Sequence, residues 1–271
     1  MAPAVLVCDI GNTNIKFGIF SYLGYGDVIP TLPKSISYVL STVEAGTADS
    51  LGLRLLALLD HAGYAPGEIV ACVVCSVVPS VDLILGQVCR RYLGCALFFV
   101  PGDLPLPLEN RYLRTQEVGV DRLVGAYAAT VLYPAPAHVV VDFGTATTFD
   151  CVIDGVYLGG LICPGVLSSV RALATQAAKL SQISLDVDAT ALVIGRSTSQ
   201  SLNHGFVFGF AALAEGLIQR LRPLLGWPDC TLTVVATGGF AEKIASVASC
   251  FDVVLPDLIL GGLFFLYTRR Q

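Results

Sequence analysis

Two Asp-x-Gly segments hold the residues of this chain whose types and spacing could do chemistry. The first is Asp9-Ile10-Gly11-Asn12-Thr13-Asn14-Ile15-Lys16, which follows the apolar run 4–8; the second is Asp142-Phe143-Gly144-Thr145-Ala146-Thr147-Thr148, which follows Val139, Val140 and Val141. A further β-prone run comes after each, so both read as hairpins whose turn carries a carboxylate, a glycine and hydroxyl or amide side chains. Such a turn suits phosphate. Glycine lets the backbone come close, successive N–H groups and hydroxyls bind phosphate oxygens, and the carboxylate can hold the accompanying cation. Two of them facing each other across a cleft would grip a nucleoside triphosphate.

The elements that must position these turns are legible from periodicity. Strand-like runs at 5–10 and 15–20 precede a Gly/Pro-rich connection and a helical pattern over 48–62, with Leu51, Leu55, Leu58 and Leu59 at helical spacing. A buried strand over 69–77, a helix over 80–92 and a strand over 95–100 follow, and a proline-punctuated loop runs over 101–117. The second half opens with a helix from about Gly119 to Leu132. Strands follow over 138–141, 147–153 and 156–162, then helices over 167–178 and 199–224. It closes on a strand at 232–236, the Thr237-Gly238-Gly239 turn, a helix, a short strand at 253–255 and a last helix. Both halves thus alternate helix and strand behind an opening hairpin, which predicts two similar α/β units with mixed sheets, divided as 1–117 and 118–271.

Composition bounds the function. The chain has 271 residues, enough for two domains, and 54% are hydrophobic, with a mean hydropathy of +0.72. The longest apolar runs, such as 69–78 and 258–267, fall short of the ~20 residues that span a bilayer. No basic segment precedes the first apolar stretch, which Asp9 interrupts, so the N-terminus does not read as a signal peptide. The expectation is a cytoplasmic protein without a membrane partner. A net charge of −5 and scattered basic residues argue against a nucleic-acid partner. Nine cysteines without framework spacing read as reduced thiols packed as small hydrophobes. In the one CxxC, Cys72 to Cys75, a spacing of three along a strand points the thiols to opposite faces. His61, His138 and His204 are isolated and read as surface or helix-end residues.

The two Asp-x-Gly hairpins with a late Thr-Gly-Gly turn resemble the acetate and sugar kinase, heat-shock 70 and actin superfamily. Within it, the chain resembles type III pantothenate kinases nearly end to end. The matching segments are DIGNTNIKFG at 9–18, NRYLRTQEVGVDR at 110–122, VDFGTATTFD at 141–150, GGLICPG at 159–165, IGRSTSQSLNHG at 194–205 and ATGGFA at 236–241. Each alone is common; their order and spacing, with GVDR some 20 residues before DFGTAT, is specific. The resemblance implies two ribonuclease H-like domains of the actin-like ATPase fold with a cleft between them. It also implies transfer of the γ-phosphoryl group of ATP to pantothenate, giving 4′-phosphopantothenate in the first step of coenzyme A synthesis. Such enzymes are cytoplasmic homodimers that need Mg²⁺ or a similar divalent cation and a monovalent cation, K⁺ or NH₄⁺.

Carried onto this sequence, the resemblance makes Asp9, Ile10, Gly11, Asn12, Thr13, Asn14, Ile15 and Lys16 the ATP-phosphate loop. Asp9 holds hydrated Mg²⁺, directly or through water, and Asn12, Thr13 and Lys16 meet phosphate oxygens. An Asx-type turn would account for Asp and Asn separately, though not for Lys16 beside them. Asp121 becomes the catalytic base that takes the proton of the acceptor hydroxyl; by itself, an Asp in a first helical turn only complements the helix dipole. Tyr112, Gly119, Val120, Arg122 and Thr198 join Asp121 around pantothenate, with the Arg122 guanidinium suited to its carboxylate or carbonyl. Thr198 alone reads equally as a helix N-cap. Asp142 takes the position of the monovalent cation ligand and Thr145 that of an ATP contact. Two departures stand out: Thr115 where the family usually has proline, and Gly261 in place of an acidic residue in the last helix. The competing readings are a kinase for another small hydroxyl or carboxylate acceptor and a non-catalytic accessory or regulatory protein of the same fold.

Overall fold

The computed structural model describes residues 3–22, 32, 35–176, 185, 191–226 and 231–270. Its strands are β1 (Ala4–Ile10), β2 (Asn14–Ser21), β3 (Ile36–Ser41), β4 (Ile69–Ser76), β5 (Ala96–Phe99), β6 (Glu109–Asn110), β7 (Ala137–Phe143), β8 (Ala146–Ile153), β9 (Val156–Pro164), β10 (Leu232–Thr237) and β11 (Val253–Val254). The helices are α1 (Ala48–His61), α2 (Pro79–Val88), α3 (Val120–Leu132), α4 (Val166–Gln176), α5 (Thr198–Leu221), α6 (Ala241–Ala245) and α7 (Leu258–Thr268). The expected elements are therefore present, and the end of the helix expected over 167–178 lies outside the described residues.

Two sheets repeat one plan. In the first, of order β3-β2-β1-β4-β5, β1, β2 and β3 form an antiparallel meander and β4 and β5 run parallel to β1. In the second, of order β11-β10-β7-β8-β9-β6, β7, β8 and β9 form the meander and β10 and β11 run parallel to β7. The second sheet adds only β6, a two-residue strand beside β9. The first strand of each meander ends in an Asp-x-Gly turn.

Contacts divide the chain differently from the expected boundary at 117/118. One compact unit comprises Met1–Leu108, Leu113–Leu132 and Asp257–Gln271; the other comprises Glu109–Tyr112 and Tyr133–Pro256. Packing gives the reason. Helix α3 packs against α7, and α7 lies on β1, β2 and β4 of the first sheet. Gly262 of α7 sits so close to Val124 of α3 that a Cβ would come within 2.8 Å of the Val124 carbonyl oxygen. Ten of the eleven residues of α7 are buried, as expected for a helix apolar on every side. Phe264 stacks on Phe20 of β2 at 4.6 Å. Gly261, the departure in this helix, faces Leu32, where a Cβ would fall 1.9 Å from Leu32 Cδ1.

The other face of the first sheet is covered by α1 and α2. Leu51, Leu55 and Leu59 of α1 meet Leu6, Cys8, Ile10, Ile15 and Phe17 in one core, and the helix starts at Thr47, whose Oγ1 accepts from Ser50 N at 3.2 Å. In the second unit, Val139, Val141, Phe143 and Phe149 pack under α4, α5 and α6. Helix α5 with its 3₁₀ continuation, Thr198–Leu225, is long and apolar enough to cross a membrane by length and composition, with 39% of its most apolar window buried. The core helix of a globular unit passes the same test, and α5 contributes Val207, Phe210, Ala211, Ala214 and Ile218 to this core.

Two expectations need correction. His138 and His204 are buried, at 2% and 7% exposure, whereas His61 ends α1 as expected. Burial of His138 is compensated in part: its Nε2–H donates to the Tyr133 carbonyl at 2.8 Å, while Nδ1 is buried without a partner among the described residues, and His204 stacks on Phe208. Strand β3, inside the stretch read as an irregular connection, has no buried residue and owes its form to pairing with β2.

Candidate functional site

The first turn is built by the β1–β2 hairpin. Ile10 pairs with Ile15 and Asp9 with Lys16, so the carboxylate and the ammonium stem leave the same face of the sheet. Gly11 N–H donates to the Asn14 carbonyl at 3.0 Å and closes the loop. Thr42, just after β3, ties this loop down from a distance in sequence: its Oγ1 donates to the Gly11 carbonyl at 2.6 Å and its N–H to the Thr13 carbonyl at 3.0 Å. Carbonyl oxygens repel phosphate, so engaging both of them elsewhere favours an anion at the loop. Asn12 and Asn14 are exposed, and Lys16 forms no ion pair among the described residues.

Asp121 lies in the first turn of α3, half-buried, with Oδ1 accepting from the Arg122 N–H at 2.9 Å. Its carboxylate folds back over Gly119, where a Cβ would come within 2.3 Å of Oδ1. Gly119 therefore gives Asp121 the room for this conformation, and Val120 and Arg122 are half-buried beside it.

Asp9 meets one side chain from the neighbouring strand, Cys75 of β4. Asp9 and Cys75 are register partners across the parallel β1–β4 pair, and the fully buried Cys75 thiol donates to Asp9 Oδ1 at 3.4 Å. Burial raises the Cys75 thiol well above its ordinary range, and the charges of Asp9 and Asp121 raise it further. Asp9, Cys75 and Asp121 all belong to the first unit. Cys72 points the other way, with its Sγ 3.7 Å from that of Cys8 in the core under α1 and α2, as the spacing of three requires.

The remaining expected residues lie in the second unit. Asp142 ends β7 opposite Thr148 and beside Thr237 of β10. Its Oδ1 is buried against glycine: a Cβ on Gly238, which has φ +93°, would lie 2.2 Å from this oxygen, and one on Gly144 3.4 Å from it. Gly144 N–H donates to the Ala146 carbonyl at 3.1 Å to close the turn. The carbonyl of exposed Thr145 accepts from Ser168 Oγ at 2.7 Å. Tyr112 follows β6, its N–H held by Asn110 Oδ1 at 2.9 Å and its ring resting on Gly159. Thr198 is the exposed first residue of α5; the cap is Ser197, whose Oγ accepts from Gln200 N at 3.2 Å, so the N-cap reading of Thr198 fails. Thr115, back in the first unit, begins an exposed 3₁₀ turn that the Arg114–Glu117 ion pair closes at 2.9 Å.

Sequence reasoning assigned no role to Thr42, Cys75 or Asp150. Asp150 is 1% exposed and accepts from Tyr157 OH at 2.7 Å and from Thr148 Oγ1 at 3.2 Å. Its place on the Asp142 face of the hairpin follows from the period of two along β8, which was readable in advance. Thr42 and Cys75 depend on long-range register and left no such signal.

The family model for type III pantothenate kinase matches residues 5–220. The chain belongs to the type III pantothenate kinase family. A type III pantothenate kinase of Nitratidesulfovibrio vulgaris (strain Miyazaki F) is 56% identical over 100% of this chain and 99% of its own. Among solved structures, a protein assigned to the Baf family of transcriptional activators, from Campylobacter jejuni, superposes with a TM-score of 0.55 at 19% identity, covering 97% and 96% of the two chains. A ROK-family glucokinase of Streptomyces griseus gives 0.50 at 13%, covering 97% and 98%. At such identities these structures speak for the fold alone, which is the two-domain, actin-like ATPase fold. Family membership makes the chain an ATP-dependent pantothenate kinase.

Proposed function

We propose that the reaction is divided among the residues of the two hairpins and the start of α3 as follows. The turn from Asp9 to Lys16 binds the ATP phosphates, with Asn12, Thr13 and Lys16 on phosphate oxygens and Thr145 as a further ATP contact. The hydroxyl oxygen of pantothenate forms a bond to the γ-phosphorus as the bond to the β,γ-bridging oxygen breaks and ADP leaves, and Asp121 takes the hydroxyl proton. Tyr112, Gly119, Val120, Arg122 and Thr198 hold the acceptor, with Arg122 toward its carboxylate or carbonyl.

The donor sets fit the expected cations. No group of three or more His, Cys, Asp or Glu among the described residues could form a metal cage. One carboxylate, Asp9, beside a phosphate loop is what hydrated Mg²⁺ uses when substrate phosphates complete its shell. The divalent cation would supply charge neutralisation at the β- and γ-oxygens. Asp142, a carboxylate in a turn after a strand where carbonyl oxygens also gather, would supply an oxygen to a larger monovalent cation such as K⁺ or NH₄⁺.

The observation that carries this reading is the build of the Asp9–Lys16 turn, where Asp9 and Lys16 share one face of the hairpin and Thr42 engages the Gly11 and Thr13 carbonyls that would repel a phosphate. We further propose a cytoplasmic homodimer in which Asp121 of one subunit and Thr198 of the other serve one acceptor site. Exposed apolar residues of the second unit, including Ile162 at 65% and Ile194 at 92%, support such a contact. The deciding experiment is an ADP-release assay with pantothenate, with sugars and acetate as controls. Turnover with pantothenate and its loss in Asp121→Asn are expected. Turnover with a control acceptor alone would establish a different kinase, and no turnover with any acceptor would favour an accessory protein.

A further inference from the structure

We propose that Cys75 is a positioning residue that orients Asp9 for the divalent cation, an inference that rests on the assignment of Asp9 as the cation carboxylate. The geometry is specific. Cys75 is fully buried in β4, in register with Asp9 across a parallel strand pair, and its Sγ–H reaches Asp9 Oδ1 at 3.4 Å. The thiol has one proton, and the charges of both Asp9 and Asp121 act on it. That proton is directed to Asp9, whereas Asp121 Oδ1 takes the Arg122 backbone N–H. Each carboxylate is thus held by its own donor, and the two are kept to separate tasks.

The weakness of the donor matters. A Lys or Arg at this position would pair with Asp9 and cancel the charge that attracts the cation. An S–H group is a weak, neutral donor, so it fixes the rotamer of Asp9 while leaving most of its electron density available. An apolar side chain of similar size would fill the space and orient nothing.

The test uses Mn²⁺ as a spectroscopic stand-in for Mg²⁺, titrated by electron paramagnetic resonance into the full-length protein with a non-hydrolysable ATP analogue. Cys75→Ala and Cys75→Val should each weaken Mn²⁺ binding about fivefold, the effect of losing one weak hydrogen bond to a charged acceptor, and Cys75→Ser should restore it. In turnover, the Mg²⁺ concentration for half-maximal rate should rise in Cys75→Ala by more than KM for pantothenate does. Parent-like Mn²⁺ binding in Cys75→Ala, or a Ser variant as weak as the Ala variant, overturns the role of Cys75. Asp9→Asn separates the two levels: strong loss of Mn²⁺ binding in that variant upholds the cation carboxylate, whereas parent-like binding overturns both assignments.

Discussion

Replacing Gly119 with alanine would place a methyl group 2.3 Å from Asp121 Oδ1. Even a tight contact of 3.0 Å requires the carboxylate oxygen to retreat by about 0.7 Å, and the retreat breaks its 2.9 Å hydrogen bond with the Arg122 N–H. The stability loss should be about 1 kcal/mol, one hydrogen bond at the start of α3. The kinetic loss should be larger. A reacting group displaced by about 1 Å costs about 10²-fold in rate, or about 2.7 kcal/mol of barrier. In steady-state ADP-release assays, kcat should fall by about that factor while KM for ATP changes little, because the phosphate turn lies on a different element. The double variant Gly119→Ala/Asp121→Asn should be no slower than Asp121→Asn, since both substitutions act through one carboxylate. A Gly119→Ala enzyme with parental kcat, or a double variant slowed by the product of the two factors, would refute the reasoning.

Three further outcomes are expected. Activity should fall severalfold or more in sodium-only buffer and recover on adding potassium in the parent but not in Asp142→Ala, as measured by initial rates at fixed ionic strength; equal rates in both salts would remove Asp142 from cation binding. Asp121→Ala and Thr198→Arg homodimers should each be nearly inactive, and subunit exchange between equal amounts should return roughly a quarter of the parental activity, because half the dimers then hold one intact site of two. Burial lowers the pKa of His138, so as pH falls below about 6.5 the unfolded chain takes up a proton that the folded chain refuses; stability fully present above that pH is lost as pH drops toward the depressed value. Urea unfolding at several pH values should show this slope in the parent and a flatter one in His138→Gln.

What the sequence determined by itself is local. A carboxylate, a glycine and hydroxyls between β-prone runs produce a hairpin turn through turn chemistry and the period of two, so the Asp9 and Asp142 turns and nearly every strand and helix were legible without coordinates. Cys72 and Cys75 were assigned to opposite faces for the same reason, and the structure bears this out. Tertiary structure decided what links residues distant in the chain. Thr42 reaches the Asp9–Lys16 turn at Gly11, 31 residues away, and Cys75 reaches Asp9 across 66, through strand pairings that local pattern does not encode. Strand β3 was missed because an exposed edge strand carries little apolar alternation and is held by its neighbour's backbone. The unit boundary differed because α3 and α7, far apart in sequence, close on each other through Gly262 and Val124 and lie against the first sheet, a choice made by burial of apolar surface rather than by position along the chain.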